Sequence, residues 1–228
     1  ALWALYHSPA WGPLEWEIER YGISFCSARF EAQPEAVAFR HCGIAYVYVT
    51  ADAWRASQPR LAAAQKQGTP LEVLNEARAA ELVPELTYSE TQGIVFDHSA
   101  IRLRSADAIP ALAEDLRRNG VDMRMNTSVT ALLADAGRVC GVETDAGPIA
   151  ADHVVIAAGA WTPSFVAAYD APCPATPAVA TRYTTKPLPG TRPEMPLVIF
   201  ADSHGLYVRE ERGGLLIGGY DDGGLTQQ

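Results

Sequence analysis

The chain has 228 residues and a formal net charge of -9. Its length fits one large domain or two interleaved ones, since domains usually run to roughly 100–200 residues, and 48% apolar residues are enough for a sizeable core, which excludes wholesale disorder. The acidic balance argues against a grip on nucleic acid or anionic membranes, and neither a signal peptide nor an apolar run near the ~18 residues of a membrane span is present.

Taken in order, the first 30 residues hold two aromatic-rich pieces around Pro9 to Pro13. Leu14, Ile18 and Tyr21 recur at helical spacing among charged residues, which predicts a short amphipathic helix. Phe30 to Phe39 reads as an irregular turn. His41 to Thr50 alternates large apolar and aromatic residues, the pattern of a strand. Ala53 to Gln67 is helical in composition, with Pro59 marking a break. Pro70 to Leu82 reads as a strand entering a short helix capped by Asn75, and Gly93 to Phe96 as another strand.

Ser105 suits the cap of a helix whose buried stripe is Ile109, Leu112 and Leu116, ending at Gly120. Val121, Met123 and Met125 alternate with polar residues in a short strand. Val129 to Leu133, Val139 to Thr144 and Pro148 to Ala150 form a meander, with turns at Asp135-Ala136-Gly137 and Asp145-Ala146-Gly147. The meander leads into Val154, Val155 and Ile156, an apolar run that predicts a strand buried on both faces in a parallel sheet. It ends in Ala157-Ala158-Gly159-Ala160-Trp161, so its carboxyl end is bare of side chains and a ligand can lie against the backbone.

A helix follows, with Thr162 as its cap and Pro163 at its first position. Strands are predicted around Val179 to Thr184 and Leu197 to Phe200. Gly205 to Arg209 and Leu215 to Tyr220 then make a hairpin. Cys26, Cys42, Cys140 and Cys173 are scattered, with no C-x-x-C pair and no His at ligand spacing. They argue against a zinc or other metal site and read as buried thiols in a reducing cytoplasm.

The order helix, strand, meander and Ala-Ala-Gly-Ala-Trp resembles the flavoprotein family of D-amino acid oxidase, sarcosine oxidase and dimethylglycine dehydrogenase. The stretches that carry the likeness are Asn126 to Val129, Ile156 to Trp161 and the closing hairpin, which looks most like the dimethylglycine and sarcosine dehydrogenase branch. The resemblance implies an α/β (α+β) fold: part of an FAD-binding domain of the two-dinucleotide-binding type, interleaved with a mixed or antiparallel substrate-binding sheet. On that map residues 1–100 hold the N-terminal helix and the first part of the substrate domain, 101–165 part of the FAD domain, and 166–228 the second part of the substrate domain.

The departure is equally informative. The family opens with a strand, Gly-x-Gly-x-x-Gly and a helix whose amides hold the pyrophosphate, and no such spacing occurs here. The family's C-terminal flavin segment is also missing, and the first residue is Ala rather than Met. The expectation is an internal portion of a longer enzyme, lacking the βαβ unit of roughly 30 residues that grips the dinucleotide, and retaining little or no FAD on its own.

The resemblance implies FAD as cofactor and oxidation of a C–N bond in a small amine or amino acid of the sarcosine, dimethylglycine or D-amino acid type. The cofactor carries that chemistry while protein groups orient the substrate, so no catalytic residue is singled out. Against FAD it places Ala157, Ala158, Gly159 and Trp161, with Val129 offering its main-chain N–H and C=O to the adenine side. Tyr207, Arg209 and Tyr220 fall on the substrate side. Positions 207 and 209 of a strand share a face, where an Arg beside a Tyr suits a carboxylate. The competing role for Arg209 is a pair with Glu210 or Glu211, and for the two tyrosines sheet packing.

Several other residues weigh less. Tyr46 and Tyr48 share a strand face that is either cavity or core. His98 and His204 adjoin Asp97 and, two residues away, Asp202, without implied pairing, while Arg102 and Arg104 read as surface charges. Oxygen, a quinone and an electron-transfer flavoprotein all stay open as electron acceptors. The alternative function is a flavin-free binding or interaction domain derived from the fold.

Overall fold

The computed structural model describes residues 2–6, 13–88, 90–177, 181–202 and 206–219. Tyr220, His204, Gly205 and Val179 lie outside these. The described residues divide into two compact units, one within residues 2–112 with 181–219 and one within residues 113–177.

The first unit is built on a seven-stranded mixed sheet. Its strands are β3 (Ile44–Tyr48), β4 (Leu71–Leu74), β5 (Gly93–Asp97), β10 (Thr181–Thr184), β11 (Leu197–Phe200), β12 (Leu206–Glu211) and β13 (Gly214–Gly219). Their order is β10-β13-β12-β11-β3-β5-β4, antiparallel except for the parallel pair of β11 with β3. All five residues of β3 are buried, because its two-residue period feeds both faces. Ile44, Tyr46 and Tyr48 join one apolar cluster with Val95 and Leu197, while Ala45 and Val47 join another with Ile94, Phe96 and Val198.

Helices cover both faces. α2 (Ala51–Lys66) packs Leu61 and Ala64 into the first cluster, and α3 (Glu76–Leu82) packs Ala79 into the second. α3 starts as expected, the Arg78 N–H donating to Asn75 Oδ1 at 2.9 Å. α2 does not break at Pro59. A proline removes one ladder bond, and here sheet packing on both sides of it holds the helix continuous.

A second, three-stranded sheet in this unit pairs β1 (Leu2–Trp3), β6 (Ile101–Arg102) and β2 (Arg40–His41) in that order. Beside it α1 (Pro13–Phe30) buries Cys26 and Phe30 in a cluster with Val37, Phe39, Ile101 and Ala108. Two helical stripes are thereby corrected. Leu14, Ile18 and Tyr21 of α1 are exposed, and in α4 (Ser105–Arg118) the inward residues are Ala108, Ala111 and Leu112, with Ile109 and Leu116 exposed. Small side chains permit close approach, so the buried face need not be the bulkiest.

The second unit carries the meander β7 (Val129–Asp135), β8 (Arg138–Thr144) and β9 (Ile149–Ala150), in sheet order. The β7–β8 turn uses Ala136 at φ 47° and Gly137 at φ 80°, the paired left-handed residues that match strand twist. Two strand expectations fail here. Residues 121–125 and 153–158 form no strand, and Val155 is 89% exposed. A buried parallel strand needs neighbours on both sides, and no described strand of this chain pairs with either segment. After a turn of 3-10 helix at Gly159–Trp161 comes α5 (Thr162–Val166), with Trp161 rather than Thr162 at its cap.

Candidate functional site

Within the second unit a cleft of about 1220 Å³ opens beside the outer strand of the meander. Val129, Ala157, Ala158, Gly159 and Trp161, all singled out from the sequence, line it together with Ser128, Leu132, Phe165 and Tyr169. Trp161 is 75% exposed, and Gly159 has φ +55° with open space where a Cβ would stand. The stretch from Val154 to Ala158 lines the cleft with apolar side chains.

The edge of β7 supplies directional groups. The Asp145 N–H donates to Ser128 O at 3.0 Å and the Thr144 N–H to Gly147 O at 3.2 Å, so the Val129–Thr144 pair is the kind that exchanges no backbone hydrogen bonds. Val129 accordingly turns its own N–H and C=O away from β8, and β7 is an outer strand. Three positions further, the Leu132 N–H donates to the Tyr169 hydroxyl at 2.7 Å. An apolar trough with an adjacent backbone donor and acceptor suits a flat heterocycle, so these residues fit the adenine end of FAD. Sequence reasoning passed over Phe165 and Tyr169. Their signal was the aromatic pair at i, i+4 after Trp161.

In the first unit the face of the large sheet carries Tyr46, Tyr48 and Tyr207, with Tyr207 packed against that cluster. The Tyr207 ring lies over Gly218 opposite it, where a Cβ would come within 2.4 Å. Around Tyr46 runs a buried polar network. The Tyr46 hydroxyl donates to Tyr6 O, the Tyr6 N–H donates to the fully buried Asp97 carboxylate at 2.8 Å, and Asp97 also accepts from the Ser99 hydroxyl at 2.6 Å. Arg60 stacks on the Tyr6 ring at 4.1 Å and donates to the Tyr48 hydroxyl at 2.8 Å. Burial holds the Tyr46 phenol well above its ordinary range, reinforced by Asp97. Burial and the Tyr48 hydrogen bond do the same for Tyr6. The raised phenol of Tyr46 suits its role as hydrogen-bond donor to Tyr6 O.

The arginines are engaged. Arg209 pairs with Glu211 at 2.6 Å and donates to Glu210 O at 2.9 Å. Burial alone would raise the Glu211 carboxyl, but the Arg209 hydrogen bond and the charges of Arg209, Arg104 and Arg102 hold it below its ordinary value. Arg102 is not a surface charge. It is buried, 3.0 Å from Glu210, and also donates to Pro193 O at 2.6 Å. Arg104 bridges Asp107 and Glu211 at 2.8 and 3.6 Å. His98 pairs with Glu72 at 2.9 Å rather than with its neighbour Asp97. Among the described residues no group of three His, Cys, Asp or Glu side chains is gathered as for a metal ion, and no helix is long and apolar enough to cross a membrane.

The family described as DAO, FAD dependent oxidoreductase, matches residues 1–228. The chain belongs to this family. It is 30% identical over 211 residues to the 4-methylaminobutanoate oxidase (formaldehyde-forming) of Paenarthrobacter nicotinovorans, covering 92% of this chain and 26% of that protein. It is 31% identical over 157 residues to the mitochondrial pyruvate dehydrogenase phosphatase regulatory subunit of Mus musculus, covering 68% of this chain and 18% of the other. The L-proline dehydrogenase from P. horikoshii shares its fold with a TM-score of 0.75 at 21% identity, over 88% of this chain and 54% of that one. The chain thus spans about a quarter or less of these curated relatives.

Proposed function

We propose that this chain is the substrate-sheet portion and part of the cofactor cleft of an FAD-dependent oxidoreductase acting on a small amine or amino acid. The observation that carries the reading is the cleft of the second unit, which gathers Val129, Ala157, Ala158, Gly159 and Trp161 around an exposed backbone edge. When bound, FAD supplies the acceptor for a hydride leaving the carbon next to the substrate nitrogen. Val129 would hold the adenine through its main chain, and the Val154–Trp161 segment would pack on the dinucleotide. The exposed apolar residues of that segment are accounted for by such a ligand.

On the substrate side Tyr207 is the stronger candidate of the two described residues. It presents a phenol on the face shared with Tyr46 and Tyr48. Arg209 can meet a substrate carboxylate only by sharing or exchanging its Glu211 partner, and Tyr220 is carried over as a proposal on its sequence position alone. The relative named for 4-methylaminobutanoate favours an N-methylated amine as substrate. The free thiols at Cys26, Cys42, Cys140 and Cys173 suit a reducing cytoplasm. A flavin-free interaction role is the second reading, favoured by the likeness to a phosphatase regulatory subunit.

The test is anaerobic titration of the full protein carrying this chain with N-methyl amino acids, N-methylated amines and D-amino acids. Bleaching of the flavin band by at least one of them is expected. A protein without flavin, or a flavin that none of them bleaches, contradicts the proposal and leaves the interaction role.

A further inference from the structure

We propose that Tyr169 is a positioning residue of the cleft: its hydroxyl closes a second backbone site on β7 and so confines an adenine edge to Val129. The inference rests on the reading of the cleft as a dinucleotide site. The pairing of β7 with β8 skips Thr130, running from Val129–Thr144 to Ala131–Glu143. Such a bulge inserts one residue and resets the phase of the strand. Val129 and Leu132, three positions apart, consequently both turn their backbones toward the cleft that they line.

An outward N–H with a C=O beside it is the complement of adenine's 6-amino group and N1, the amino group donating to the carbonyl and N1 accepting from the amide. Two such positions on one edge offer two registers roughly 10 Å apart. At Leu132 the site is already filled, because the N–H donates to Tyr169 Oη at 2.7 Å. The Tyr169 ring packs against Phe165 with centroids 5.9 Å apart, which holds the hydroxyl at the edge. The same ring lines the cleft. One side chain therefore both walls the trough and removes the competing register.

The test follows the Val129 and Leu132 amides by nitrogen–proton NMR in the full protein carrying this chain, stripped of flavin and labelled at valine and leucine, while adenosine monophosphate is added to it and to its Y169F variant, which keeps the ring and loses only the hydroxyl. In the parent, the nucleotide shifts the Val129 amide and leaves Leu132 in place. In Y169F the Leu132 amide responds as well, because the nucleotide then divides between the two registers. Phe165→Leu, which frees the ring but spares the hydroxyl, gives the same pattern in weaker form. A Leu132 amide that stays unresponsive in Y169F overturns the role of Tyr169 while sparing the cofactor reading. A parent protein in which Val129 never responds overturns the cofactor reading, and the inference with it.

Discussion

Asp202 shows how a single carboxylate is bound into the start of a helix. It accepts the Thr50 N–H at 2.6 Å and the Val49 N–H at 3.0 Å, while the Thr50 hydroxyl itself accepts from Ala53 at the first turn of α2. Burial alone would raise its pKa, but the hydrogen bonds from the Thr50 hydroxyl, Thr50 N–H and Val49 N–H hold it below the ordinary value. The folded state thus favours the charged form. Its contribution is complete above the ordinary carboxylate pKa and is lost as pH falls through the lower folded value. Asp202→Asn should cost about 1 kcal/mol near neutral pH, the scale of a helix cap, with the gap closing toward about pH 3. Urea unfolding of both proteins at the two pH values measures it, and a gap that stays constant in acid contradicts the assignment. The sequence marked Asp202 only as a neighbour of His204, because its partners lie some 150 residues away.

At the scale of elements, the turn end of the β12–β13 hairpin is fastened by the buried Arg102–Glu210 pair, whose side chains are 7% and 11% exposed. Removing one partner leaves the other charge buried without compensation, whereas replacing both with apolar groups removes the problem. Arg102→Met should therefore cost about 3–5 kcal/mol, and the double variant R102M/E210L should recover most of it. Denaturant unfolding decides; a double variant no better than the single one contradicts the pairing argument. The hairpin itself was legible, as were β3, β5, β11 and the meander, since apolar alternation and left-handed turn residues are local signals. Val121 to Met125 and Val154 to Ala158 carry the same local signals yet form no strands. Periodicity reports what a segment can pair with, not whether the partner is at hand. The phases of α1 and α4 were misread for a different reason: bulky residues draw attention, while Cys26, Ala108 and Ala111 make the close contacts.

At the scale of the whole molecule, the order of elements pointed to the flavoprotein fold before any geometry was available. The cleft residues were legible through family likeness at Val129 and Ala157–Trp161. The main-chain role of Val129 came with that likeness, but the capped amide of Leu132 did not, because it is a property of strand pairing and leaves no mark on residue type. Arg209 remained ambiguous for a related reason, since sequence put both a Tyr and two carboxylates within its reach, and the fold gave it Glu211. The account stands on the claim that FAD lies in the trough of the second unit. Ala157 is exposed there and lines the trough, so a large side chain at this position fills the site without disturbing a core. The most direct measurement is FAD affinity of the full protein carrying this chain, stripped of flavin and titrated back, compared with its Ala157→Trp variant. The account predicts at least about tenfold weaker binding, some 1.4 kcal/mol, with unfolding behaviour unchanged; equal affinity in the two proteins would contradict it.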